Sequence, residues 1–423
     1  MDAGLPAGVG GWSRRDRIWL AAGLIAAAIL RLALLPAAGL RADTDQFVGW
    51  VHQLATGLPL GEAYRLDLSF PPVMAYVFWA LAHVVPAFGT ATNAGDLAAR
   101  IAIKIPAAVA DLGLALGVAY LLRERPRWAI GTALAVAFLP LTWYVSAWWG
   151  QFESIYVLLG LLAAILALAD RPITAAAVLG LAIMAKPQAL PFLVPFAAYA
   201  LGRYGWRRAA VFGIVTGSVA AATWVPFLAD GGPSRYLSSL GSYQDGPFAV
   251  LSLRAWNAWW LIQEPATGGD FLADTGRLIG PLTPRVIGYA LAGLGELAVF
   301  LAVLRRPTRD ALLLGLAASV LVAFCLLTTM HERYSYAAVI FLAAAILGRA
   351  SAAAWALLAV TATANVIAAI PPSGVPGSLI PLGGLMGIAG SLAILGIGAA
   401  VIAGLVRREP GAVSALPTAG DDP

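Results

Sequence analysis

The chain has 423 residues, about 60% apolar and 12% charged, with a formal net charge of +5. Runs of 18 or more nearly uncharged residues recur along it. They exclude a soluble globular domain and point to a polytopic α-helical membrane protein, whose backbone groups satisfy one another within each helix. The lone Cys325 excludes an intrachain disulfide, and the positive balance, almost wholly arginine, reads as membrane topology rather than nucleic-acid binding.

Arg14, Arg15 and Arg17 precede the first apolar run, Ile18 to Leu40, which is too long for a signal-peptide core and reads as a retained anchor. Arginines then cluster at short connections: Arg123, Arg125 and Arg127; Arg203, Arg207 and Arg208; Arg305, Arg306 and Arg309; Arg407 and Arg408. Single ones sit at Arg171 and Arg349. The positive-inside rule places all of these, with the N-terminus, in the cytoplasm. The predicted spans are 18–40, 98–122, 128–146, 153–169, 173–186, 188–202, 209–228, 283–304, 310–328, 334–348, 353–370 and 383–406.

Phe70 to Phe88 is also apolar enough to cross, but a crossing there would put the Arg123–Arg127 cluster outside. Its Pro71-Pro72 start and internal His83 and Pro86 weaken it further. It is expected as an interfacial or re-entrant helix in a long outer loop, 41–97, with a second long outer loop at 229–282. The expected fold is all-α and polytopic, with about 12 transmembrane helices, two long extracytoplasmic loops carrying interfacial helices, and both termini cytoplasmic. Residues 1–408 form one integral-membrane domain, and 409–423 read as a disordered cytoplasmic tail. No internal repeat is visible, which weighs against inverted-repeat transporters. Gly383 and Gly387 read as helix-packing positions.

With this topology most carboxylates gather on the outer face, where five segments carry chemistry. Asp43-Thr44-Asp45 offers a carboxylate to take a proton from an attacking hydroxyl. The same pair could bind a divalent ion, though a metal is not favoured, or Asp43 and Thr44 could cap a helix over Gln46–Leu54. In Trp148 to Ser154, Gln151 and Glu153 suit sugar hydroxyls and the tryptophans suit sugar faces; an interfacial aromatic belt explains only the tryptophans. Lys186-Pro187-Gln188 places one of only two lysines, the other being Lys104, at a tight outer turn, where Lys186 suits a phosphate. Leu253 to Trp260, with Trp256 and Asn257, either lines a sugar site or lies on the bilayer. In Met330 to Tyr336, His331 and Arg333 suit a lipid-linked phosphate and Glu332 would orient them. Within the spans, Arg31, Asp111 and Glu296 need partners, and Arg31 with Asp111 reads as a structural pair. The three histidines are scattered, which leaves no zinc site, and no glycine-rich loop suits a nucleotide. A lipid-borne sugar donor therefore fits better than a soluble one.

Taken in order, Asp43-Thr44-Asp45-Gln46-Phe47-Val48-Gly49-Trp50, Phe70-Pro71-Pro72, Arg100 with Asp111, Trp149 to Ser154, Lys186-Pro187-Gln188, Ala255 to Trp260 and His331-Glu332-Arg333-Tyr334 resemble the GT-C superfamily of multispanning glycosyltransferases. These use polyprenyl- or dolichyl-phosphate sugars, and the nearest likeness is to bacterial enzymes related to the GPI-anchor mannosyltransferases. The resemblance implies inverting transfer of a hexose, mannose before glucose, to a lipid-linked or glycan acceptor on the extracytoplasmic face. It puts the general base at Asp43, with Asp45 adjacent, and the donor phosphate near His331 and Glu332. Glu153 stands where members often carry Asp, and Arg254 where they often carry Asn. The expected site is thus Asp43 and Asp45 as catalytic carboxylates, Lys186, His331 and Arg333 at the phosphate, and Gln151, Glu153, Gln188, Trp256, Asn257 and Glu332 at the substrates. A flippase or transporter of lipid-linked saccharides is the alternative.

Overall fold

A computed structural model describes residues 12–407 apart from 279 and 347; Arg408 and the tail 409–423 lie outside the described residues. The chain runs α1 Arg14–Leu34, α2 Arg41–Ala55, α3 Pro72–Val84, α4 Leu97–Leu121, α5 Pro126–Phe138, α6 Pro140–Trp143, α7 Glu153–Leu168 and α8 Pro172–Ile183. It continues through α9 Leu193–Thr223, α10 Gly232–Asp245, α11 Trp260–Thr267, α12 Pro284–Arg305, α13 Arg309–Leu326, α14 Tyr336–Ala344, α15 Arg349–Ala369 and α16 Gly384–Arg407. Proline opens many helices (Pro72, Pro126, Pro172, Pro284), because its missing N–H costs nothing in the first turn. Side-chain caps from Ser13, Asp96 and Thr308 open others, and Thr283 caps α12 ahead of Pro284. Among the described residues the sheet is one short parallel pairing, β1 Ser252–Leu253 with β2 Met330–His331.

Among the described residues six helices are long and apolar enough to cross a membrane: α1, α4, α12, α13, α15 and α16. A seventh results if α5 and the bent segment Pro140–Trp149 count as one span. The other predicted spans fall on shorter elements. α7 has 16 residues, α8 has 12 and α14 has 9, and α14 is wholly buried inside the bundle. Predicted spans 188–202 and 209–228 become a short 3₁₀ turn, Pro187–Phe192, followed by the two arms of α9. The arms meet at Gly205, whose φ of 76° breaks the helix where most side chains would be strained. The first apolar run also ends early, at Leu34, so Asp43 belongs to a separate helix, α2. α3 has 13 residues and spans about 20 Å, short of the hydrocarbon core of about 30 Å.

The arginine-bearing connections meet at one end of the bundle. Trp12 Nε1 donates to the Arg123 carbonyl, Tyr204 Oη to the Ala167 carbonyl, and Arg309 to the carbonyls of Leu121 and Ala344. Connections at the other end are likewise bonded together. Arg65 pairs with Asp230, the Val73 N–H donates to the Met184 carbonyl, and Arg254 donates to the Ala369 carbonyl.

Arg31 and Asp111 pair in the interior at 3.0 Å, both buried. The rest of the Arg31 fork donates to the carbonyls of Ala27 and Ala137 and to Thr142 Oγ1. Asp111 also accepts from Ser146 Oγ and Tyr336 Oη. Every polar partner is supplied, which is what allows such a pair to persist away from water. The knot ties α1, α4, α5 and α14 to the segment before Gly150. Glu296 is bonded as well, to Ser319.

Candidate functional site

A cavity of about 870 Å³ opens at the end opposite the arginine clusters, lined by segments from Leu40 to Ile370. Asp43 enters it from the first turn of α2, where a carboxylate also complements the helix dipole. Its Oδ2 accepts from Trp149 Nε1 at 3.0 Å and from Gln151 Nε2 at 2.5 Å. Its Oδ1 accepts nothing among the described residues.

The two donors to Asp43 are aimed by unusual backbone. Tyr144–Trp149 is a π-helical turn that stops at Gly150, with φ 101°. A Cβ at Gly150 would press on Thr44 and Lys104. Lys104, fully buried, donates to the carbonyls of Ala37 and Trp148 at 2.7 and 2.6 Å. One ammonium thus ties the segment leading into Asp43 to the segment carrying Trp149 and Gln151. Sequence reading noted Lys104 only as a rare lysine, because nothing local reveals carbonyl partners 67 and 44 residues away.

A charge cluster forms the cavity floor, with buried Glu153 beneath it. Glu153 Oε1 accepts from Lys186 Nζ at 2.5 Å and from Arg333 Nε at 3.0 Å. Glu332 Oε1 accepts from Arg333 Nη1 at 3.0 Å. The Arg333 guanidinium lies 4.9 Å from the Trp149 ring centre, a cation–π contact that joins this cluster to the Asp43 cluster. Glu153 Oε2 and Gln188 Oε1 are buried with no hydrogen-bond partner among the described residues.

Burial lowers the Lys186 ammonium to about 8, although Glu153 pulls the other way. Burial and the neighbouring Arg333 also depress His331, whose ring packs edge-on to Phe248 and Tyr334, so it is neutral at pH 7. For Glu332 burial opposes ionisation, but His331 and Arg333 outweigh it and hold the carboxyl near 2. With His331 neutral, Arg333 is the partner we regard as dominant. Among the described residues no three His, Cys, Asp or Glu side chains gather as a metal site.

Asp43, Gln151, Lys186, Gln188, His331, Glu332 and Arg333 therefore meet at one cavity, with Glu153 directly beneath. Three predicted site residues do not. Asp45 points away: it accepts from the Ala94 N–H at 2.8 Å and faces Arg41 at 3.6 Å. Residues two apart on a helix cannot share a face, so a paired-acid reading of Asp43 and Asp45 fails once both are helical. Trp256 is wholly buried, its Nε1 donating to the Leu382 carbonyl and its ring lying where a Cβ on Gly390 would collide. Asn257 is also buried; its amide donates to the Phe324 and Leu327 carbonyls and accepts from the N–H groups of Trp259 and Trp260. These two side chains build the wall rather than face the cavity. Gly383 and Gly387 pack against Glu264, Trp256 and Trp260 of that wall.

The structure adds Gln46, Ser69, Phe248, Arg254 and Tyr289 to the lining. Gln46 and Arg254 lie in segments that the sequence had singled out, whereas Ser69, Phe248 and Tyr289 carry no local signal and reach the cavity only through the folded chain. The chain matches no protein-family model, and a search of curated proteins also finds no match.

Proposed function

We propose that this protein is a membrane glycosyltransferase of the inverting type. It moves a hexose, mannose in preference to glucose, from a polyprenyl-phosphate sugar to a lipid-linked or glycan acceptor on the extracytoplasmic face. The observation that carries this reading is the convergence of one anchored carboxylate, Asp43, with the Lys186–Glu153–Arg333–Glu332 cluster around a single cavity at one end of an apolar bundle. The reading includes about 12 crossings, the short helices among them, with the arginine-rich end cytoplasmic.

Asp43 would take the acceptor hydroxyl proton through its unencumbered Oδ1 as the oxygen attacks the anomeric carbon. Trp149 and Gln151 fix the rotamer through the other oxygen. The new C–O bond forms as the sugar–phosphate C–O bond breaks, and the polyprenyl phosphate leaves with the electron pair. Neutral His331 would donate a hydrogen bond to that phosphate, and Lys186 and Arg333 would lend charge from behind it. Gln188, with its idle carbonyl, would accept from a sugar hydroxyl. The transport reading has less support, because Asp111 and Glu296 inside the bundle are each bonded within the fold.

The test is transfer from radiolabelled polyprenyl-phosphate mannose, and separately glucose, to a total lipid extract. Purified wild type and Asp43→Asn are compared. Transfer by wild type that disappears in the variant is the expected result. An undiminished variant would remove Asp43 as the base, and no transfer from either donor by intact protein would sink the reading.

A further inference from the structure

We propose that Arg254 is the anchor for a phosphate ester of a lipid substrate in this cavity, an inference that rests on the cavity being the transfer site proposed above. The charged groups lining the cavity are Asp43, Lys186, Arg254, Glu332 and Arg333, with neutral His331 among them. Lys186 and Arg333 are already engaged by Glu153 and Glu332, so that cluster is close to charge-neutral. Among the described residues Asp43 and Arg254 have no oppositely charged partner within ion-pair distance. A phosphate entering here meets one uncompensated cation.

The geometry around Arg254 is built to present it. Its backbone adopts φ 64°, a left-handed conformation uncommon for a non-glycine residue. Buried Asn365 of α15 grips both sides of the kink, donating to the Arg254 carbonyl at 2.8 Å and accepting from the Trp256 N–H at 2.9 Å. Ser252 Oγ holds the Ala255 carbonyl, and the Arg254 backbone bridges to His331. Ser252, Trp256 and Asn257 are thus committed to the fold. The Arg254 side chain is the exception. Among the described residues it makes one long hydrogen bond, 3.4 Å to the Ala369 carbonyl, and it lies 5.8 Å from the Phe271 ring centre. A planar fork with free N–H groups beside neutral His331 suits bidentate phosphate binding.

The experiment measures binding of a polyprenyl monophosphate to the purified full chain in a neutral detergent, by intrinsic tryptophan fluorescence. Wild type is compared with Arg254→Gln and Arg254→Ala, so that a folding failure in one leaves the other readable. Unphosphorylated polyprenol and phosphatidylglycerol serve as further probes. The expected result is a loss of about tenfold or more in polyprenyl-phosphate affinity in both variants, with polyprenol binding unchanged. A matching loss for phosphatidylglycerol alone would keep the anchor and assign it to a glycerolipid acceptor. Equal affinity of wild type and variants for both phosphates overturns the proposal. The transfer assay separates this from the parent reading. Phosphate binding lost in Arg254→Gln, with no sugar transferred by wild type, would keep the anchor and sink the transferase. Transfer with an unchanged donor KM in Arg254→Gln, and unchanged phosphatidylglycerol affinity, would do the reverse.

Discussion

Two buried ionic clusters sit in this protein, and they are built to different ends. Around Arg31 and Asp111 both carboxylate oxygens and all three guanidinium nitrogens find partners within the fold. Around Glu153 and Arg333 the accounting stops short: Glu153 Oε2 has no partner among the described residues, and the cluster backs onto a cavity of about 870 Å³. A closed network can only brace helices. An open one leaves polar capacity for something that is not part of the chain.

The sharpest way to break this comparison is to delete one partner of the closed knot. Asp111→Ala leaves Arg31 buried and unpaired and should destabilise the protein by about 3–5 kcal/mol, read as a collapse of the unfolding midpoint in detergent. An unchanged midpoint would mean that the knot is not structural. Replacing both partners, as Arg31→Met with Asp111→Leu, should recover much of the loss.

Next in size, Asp43→Asn should lower sugar transfer by about 10²–10⁴-fold while leaving the unfolding midpoint in place, because the amide keeps the shape but cannot take the proton. A variant that loses stability instead would move Asp43 into the closed class.

Lys186 gives a pH test with two signs. Its proton leaves near pH 8 in the folded chain, against 10.5 ordinarily. Donor binding that depends on its charge should therefore decline above pH 8, and Lys186→Arg should move that limb upward. Stability should respond in the opposite sense. Between about 8 and 10.5 the unfolded chain holds a proton that the folded chain lacks, so this group alone makes stability rise with pH there. Donor affinity flat to pH 10 would show that Lys186 serves Glu153 only.

The smallest effect is expected at the other end of the bundle. Arg203 and Asp170 pair at 3.4 Å with both side chains more than half exposed. Arg203→Gln should shift stability by less than about 1 kcal/mol, and a larger change would make this exposed pair part of the bracing.

The apolar runs determined the membrane class and most helix positions, because hydrophobic length is a local property. The arginines likewise foretold which connections would share an end, since charge placement at short loops is read one loop at a time. Arg31 and Asp111 were pairable from sequence because two intramembrane ions have few alternatives. Tertiary structure alone decided the rest. Helix α2 turned Asp43 inward and Asp45 outward. Gly205 split α9, and packing shortened α14 to 9 residues. Trp256 and Asn257 were folded into the wall, while Arg254 between their segments and β1 was left facing the cavity. Composition and spacing record how much charge a segment carries. Which charges are neutralised depends on partners tens to hundreds of residues away, and only the folded chain brings those together.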